Sequence, residues 1–143
     1  MSSVSQLPLP KGRGLLAILV ELDTMNWEKA VEKTYDPITL LFYSPTCPHC
    51  HSIMPYYEEY AEEFKGAVAF ARIDVTQNPW IAERYGIMST PTFAVFCHGR
   101  SVAQLVGSVY PALIKKMIEE GLKNAKECAG QSTVIDYEIT GYG

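Results

Sequence analysis

Phe42-Tyr43-Ser44-Pro45-Thr46-Cys47-Pro48-His49-Cys50-His51 joins two patterns of different period. Ile38 to Tyr43 before it is nearly continuous in apolar residues, the signature of a strand buried on both faces of a parallel sheet. After it, Ile53, Met54, Tyr57 and Phe64 recur at helical spacing. A Cys-x-x-Cys pair therefore sits where a buried strand hands over to a helix. The first turn of a helix has backbone N–H groups without intrahelical partners and a positive end worth about half a charge. Thiols in such a position have pKa values lowered to roughly 3.5–7.5. Cys47 fits the N-cap and Pro48 the first helical position, where a missing N–H costs nothing. His49 between the thiols is a polarising group when protonated. Cys50 follows one turn later, within reach of a disulfide to Cys47. The pattern describes a nucleophilic thiol with a resolving partner.

Three other readings compete with a redox pair. A structural disulfide suits an exported chain. The only export or membrane candidate is Leu15 to Val20, too short to span a bilayer, stopped by Glu21 and Asp23 and followed by no small-residue cleavage site. Zinc held by Cys47, Cys50, Cys97 and His98 would need two distant pairs to converge. Cys47-Pro48-His49-Cys50-His51 also spells the haem attachment motif, but the chain is rich in strand patterns rather than helical. Redox chemistry is the preferred reading, with no metal and no cofactor expected.

The chain has 143 residues, of which 48% are apolar and 20% charged, as in an ordinary single globular domain. A net charge of −4 and the lack of a basic cluster argue against nucleic acid as a partner. Neither length nor hydropathy predicts a membrane association, so the expected compartment is the cytoplasm, where a persisting disulfide is usually catalytic or redox-sensing. The expected partners are proteins carrying disulfides or thiols and a reductase or oxidant. A monomer or weak dimer is expected.

Residues 1–14, rich in Ser, Pro and Gly, read as a flexible arm. Gly14 to Leu22 reads as a strand, and Asp23 or Thr24 caps a helix through Lys33. After the strand Ile38 to Tyr43, a helix from Cys47 to Phe64 carries Pro55 in its interior. Ala67 to Val75 is a further strand, and Asn78-Pro79 caps a short helix ending at Gly86. Thr92 to Cys97, His98-Gly99 and Ser101 to Val106 form a hairpin. Pro111 opens a helix to Lys126 with Leu113, Ile114, Met117, Ile118 and Leu122 on one face. In the tail, residues 128–143, Ser132 to Ile139 alternates and reads as an extra edge strand, a dimer contact or a loose end. The order predicts an α/β fold with a central mixed β-sheet flanked by helices on both faces.

In that order the chain resembles the thioredoxin family over about residues 15–127. Beside Cys47 to Cys50, Gly86-Ile87-Met88-Ser89-Thr90-Pro91-Thr92 is similar to the family's stretch around its cis-proline, and Gly107 to the glycine after its last strand. Pro55, Gln77-Asn78-Pro79 and Phe93 to Gly99 also stand in register, without insertion or deletion from Cys47 to Gly107. The resemblance implies a thioredoxin fold and a thiol–disulfide oxidoreductase acting on protein disulfides. Cys47 would attack a substrate disulfide and Cys50 resolve the mixed disulfide. Pro91 would be cis, facing the sulfurs, with Thr90 and Gly107 at the bound polypeptide and Pro48 and His49 modulating the pair. The alternative is a non-catalytic binding or redox-sensor module on the same fold.

The departures from the family pattern bear on mechanism. Thr46 replaces a tryptophan, and in place of Gly-Pro stands Pro48-His49, which resembles the dipeptide of the bacterial periplasmic disulfide oxidant. Leu41 takes the place of the family's buried aspartate and Arg72 that of its lysine partner. No internal base is then evident for Cys50, leaving water or a substrate group to take its proton. His51 reads as an exposed polar residue in preference to a relay. Cys97 and Cys128 read as passive thiols, their pairing left open, and Trp27, Trp80 and Tyr85 as core or rim, with Trp80 a guess for the substrate groove.

Overall fold

The computed structural model describes residues 19–142, with side chains through residue 126 and at Cys128. Five strands, β1 (Leu19–Leu22), β2 (Ile38–Tyr43), β3 (Ala69–Asp74), β4 (Thr92–Cys97) and β5 (Arg100–Val106), form one sheet in the order β1-β3-β2-β4-β5. The β1–β3 and β2–β3 pairs are parallel; the β2–β4 and β4–β5 pairs are antiparallel. The expected arm, residues 1–14, and the first half of the expected Gly14 to Leu22 strand lie outside the described residues.

Between the strands stand α1 (Thr24–Trp27, widening into a π-helical turn over Glu28–Glu32), α2 (Pro48–Glu63), α3 (Pro79–Arg84) and α4 (Pro111–Tyr142). Asp23 caps α1 through a reciprocal pair of hydrogen bonds with Asn26. The expected Asn78 cap on α3 is different. Its side chain makes no cap bond to α3; it accepts from the Thr24 N–H and hydroxyl at 2.8 and 2.9 Å and donates to the Asp74 carbonyl. A buried amide with two donors to satisfy locks the start of α1 to the end of β3 instead.

Strand alternation sends the central residues to two cores. Leu41, Phe93 and Val95 face α2 and α4, where Ile53, Tyr57, Ile114 and Ile118 meet them. Leu40, Phe42, Ala94 and Phe96 face the other way, onto Trp27 and Val31 of α1 and Ile81 of α3. The mixed sheet is thus covered on both faces. Tyr57 is fully buried, yet its hydroxyl lies 3.1 and 2.7 Å from the carbonyls of Thr39 and Ala71. Gly121 marks where α4 crosses the sheet: a Cβ there would come within 2.5 Å of Val95. Alanine is favoured over glycine in a helix by about 1 kcal/mol, but overpacking typically costs about 1–3 kcal/mol, so the close approach decides the residue.

The tail corrects the edge-strand reading. The backbone of α4 continues as helix through Tyr142, so Ser132 to Ile139 adds no strand to the sheet. Gly121 and Gly130 both lie within the helix, and neither ends it. Past the expected stop at Lys126, Cys128 is bonded to Cys97 at the end of β4, fixing the helix against the sheet. The two thiols read as passive are therefore joined.

Candidate active site

The β2–α2 junction presents the Cys47 sulfur. Cys47 has extended backbone at the N-cap and its sulfur accepts the Cys50 N–H at 3.2 Å, while Pro48 occupies the first helical turn. Both thiols are free; Cys47 is partly accessible and Cys50 is 1% exposed. Across from them the Thr90–Pro91 peptide is cis, and the Cys47 thiol donates to the Thr90 carbonyl at 3.7 Å. Gly107 ends β5 with φ +97, a backbone only glycine adopts readily, and its N–H donates to the Pro91 carbonyl at 2.8 Å. The structure thus brings together Cys47, Cys50, Thr90, Pro91 and Gly107 from three separated parts of the chain. His49, Pro91 and Gly107 also border a hollow of about 200 Å³ beside Ile53 and Tyr56.

The two thiols are driven apart electrostatically. Burial acts to raise the Cys47 pKa, but hydrogen bonds from the side chains of Cys50 and Thr90 and from the backbone N–H groups of Cys50 and His49 outweigh it, and the net shift is downward. Burial pushes Cys50 up to about 11, with its hydrogen bond to Cys47 acting in the same direction. His49 thus acts on Cys47 through its main chain. Carbamidomethylation by iodoacetamide is expected to follow this split. The Cys47 rate should climb with pH through the lowered value and level off below about 8.5, where a free thiol titrates, while Cys50 stays unmodified until far more alkaline pH. Peptide mapping across a pH series checks it; a Cys47 rate still rising above the free-thiol value overturns it.

A second group of residues adjoins Cys50 from the far side. Arg72 donates to Glu21 at 2.6 Å, lies over the Tyr43 ring at 4.9 Å and reaches the Met54 sulfur at 3.6 Å. The Tyr43 hydroxyl donates to the other Glu21 oxygen at 2.7 Å. Leu41 pairs in register with Arg72 and is fully buried, so no carboxylate stands at that place in the sheet. Sequence reasoning missed this cluster because Glu21 and Tyr43 meet across β3, a neighbour relation set by strand order. Trp80, offered for the substrate groove, is 72% exposed on α3 and borders a separate hollow with Thr24 and Trp27. Among the described residues no group of three or more His, Cys, Asp or Glu side chains is placed to hold a metal, and no helix is long and apolar enough to cross a membrane.

A dithiol at the mouth of a helix, opposed by a cis-proline loop on a β1-β3-β2-β4-β5 sheet, defines a protein of the thioredoxin fold. The chain belongs to the thioredoxin family, whose sequence model, described as Thioredoxin, matches residues 18–120. It is 30% identical over 86 residues to Thioredoxin 1 of Nostoc sp., covering 60% of this chain and 80% of that one. It is 29% identical over 109 residues to a thioredoxin of Griffithsia pacifica, covering 76% and 99%. With the chloroplastic Thioredoxin M4 of Arabidopsis thaliana it shares 32% identity over 101 residues, covering 71% of this chain and only 52% of that longer one.

Proposed function

We propose that the protein is a thiol–disulfide oxidoreductase acting on protein disulfides through Cys47 and Cys50. The Cys47 thiolate attacks one sulfur of a substrate disulfide, and the other substrate sulfur leaves as a thiolate that takes a proton. Cys50, deprotonated, then attacks the Cys47 sulfur of the mixed disulfide, forming Cys47–Cys50 and releasing the second substrate thiol. The substrate gains two electrons and the pair loses two. The observation that carries this is the placement of two free thiols at the mouth of α2, with Cys47 at the N-cap facing the cis Thr90–Pro91 peptide and Cys50 buried one turn on. The lowered Cys47 and raised Cys50 pKa values agree with it. Thr90 and Gly107 frame Pro91, where a bound segment of substrate backbone would pair, and Pro48 and His49 shape the approach to Cys47.

No cofactor is assigned. A separate reductase or oxidant resets the pair, and the chain acts as a monomer or weak dimer in the cytoplasm. Every unit of differential thiolate stabilisation is about 1.4 kcal/mol, or roughly 30 mV for a two-electron couple. Stabilising the Cys47 thiolate favours the dithiol, so the disulfide is a stronger oxidant than the roughly −270 mV of thioredoxin. Insulin reduction by wild type and Cys47→Ser tests the activity: turnover by wild type alone supports it, and none by either favours a binding or sensor module. Equilibration with glutathione tests the poise, which a potential as low as about −270 mV would refute.

A further inference from the structure

Resolution of the mixed disulfide needs a proton taken from a buried thiol, and Leu41 leaves no carboxylate in the sheet beneath it. A crevice of about 100 Å³ opens beside Cys50, bordered by Tyr43 of β2, His51 and Met54 of α2 and Arg72 of β3. That is room for a few water molecules. Each charged or titratable group around it can be judged as a base. Arg72 is a permanent cation, and its guanidinium is tied to Glu21. Burial pushes Tyr43 up to about 12, so its hydroxyl keeps its proton. Glu21, behind both on β1, has each carboxylate oxygen engaged, by Arg72 and by Tyr43. Asp74 on β3 acts on Tyr43 through its charge, but one of its oxygens accepts from the Thr76 N–H and hydroxyl, and it does not border the crevice. Glu58 on α2 acts on Arg72 and is likewise outside it. Histidine alone among these types exchanges a proton near neutral pH.

His51 is also held in a defined tautomer. Its Nε2 lies 2.6 Å from the Pro45 carbonyl oxygen, which can only accept, so Nε2 carries hydrogen. The neutral ring then keeps its lone pair on Nδ1. We propose that His51 is the proton acceptor for Cys50 in the resolving step, working through water in the crevice and standing in for the carboxylate that Leu41 excludes. The inference rests on the oxidoreductase reading above. The Cys50 S–H proton passes to Nδ1, the Cys50 sulfur bonds to the Cys47 sulfur, and the Cys47–substrate bond breaks. The departing substrate thiolate then recovers a proton from the imidazolium or solvent. Arg72, paired with Glu21, borders the same crevice.

Reaction of the reduced full-length protein with an aromatic disulfide that releases a coloured thiolate separates the two steps. The first release reports attack by Cys47 and the second reports resolution by Cys50. In His51→Gln, which keeps an N–H for the Pro45 carbonyl, the first phase should match wild type. The second should slow about a hundredfold at neutral pH, the lower end of general-base contributions. Its pH profile should lose an inflection present in wild type, and imidazole in the buffer should restore the rate. A second phase of unchanged rate and profile overturns the proposal. So does a slowed phase that imidazole cannot rescue, which marks a merely structural role. Absence of any first phase in wild type sinks the oxidoreductase reading itself, a distinct result.

Discussion

With Cys50 replaced by serine, the protein is expected to react with a substrate disulfide once and stop. Insulin turnover should fall to background, while intact mass shows a single equivalent of substrate peptide bound, removable by dithiothreitol. The supports of the Cys47 thiolate explain why attack survives. Of the hydrogen bonds that lower its pKa, those from Thr90 and from the backbone N–H groups of Cys50 and His49 do not involve the Cys50 sulfur. A serine hydroxyl can still donate where the Cys50 thiol did. What disappears is the second step, since a hydroxyl does not displace a thiolate from a disulfide at neutral pH. The adduct should persist, because the sulfur that would release it is gone and no other free thiol remains among the described residues. Continued turnover in Cys50→Ser, or no adduct with wild-type-like alkylation of Cys47, would dismantle the two-thiol mechanism.

The parts of this site that a one-dimensional reading reached are those written in local chemistry. Cys47 as N-cap followed by Pro48 follows from helix-start rules, and the unbroken apolar run Ile38–Tyr43 follows from burial on both faces. His98-Gly99, with φ of 52 and 80, turns the hairpin as its residue types require. What stayed hidden depends on which strands become neighbours. Glu21, Tyr43 and Arg72 come from β1, β2 and β3, and nothing in their spacing says that β3 lies between the other two. Asn78 went to Thr24, 54 residues away, rather than to its own helix, because a buried amide takes whatever partners the fold supplies. The edge-strand alternative for the tail fails for a related reason. Alternation in Ser132 to Ile139 is a local signal, whereas the helix there follows an anchored one at Cys128, whose partner is 31 residues back in the chain.

That anchor sets the second large effect. Cys97→Ala with Cys128→Ala is expected to lose about 3–4 kcal/mol of stability, from the loop-closure entropy of a 31-residue separation. For a domain of this size that is a fall in Tm of about 10 °C. Both sulfurs are buried, with Ala125 beside them and Val102 packed against the group, and the Cα atoms are 6.5 Å apart, so the bond joins two elements already in contact. Activity at low temperature should not change. Cys97 closes β4, whereas Pro91 immediately precedes its first residue, and a six-residue strand at about 3.4 Å per residue separates the bond from Cys47 by most of the sheet. Burial is also expected to keep the bond from exchanging with the Cys47–Cys50 pair or with glutathione. Thermal scans should therefore separate two behaviours of wild type. Brief treatment with glutathione leaves Tm in place, and reduction in denaturant followed by refolding with reductant brings it to the double variant's value. Equal Tm for wild type and the double variant would show that the link adds nothing, and a loss of low-temperature turnover would show that it reaches the site.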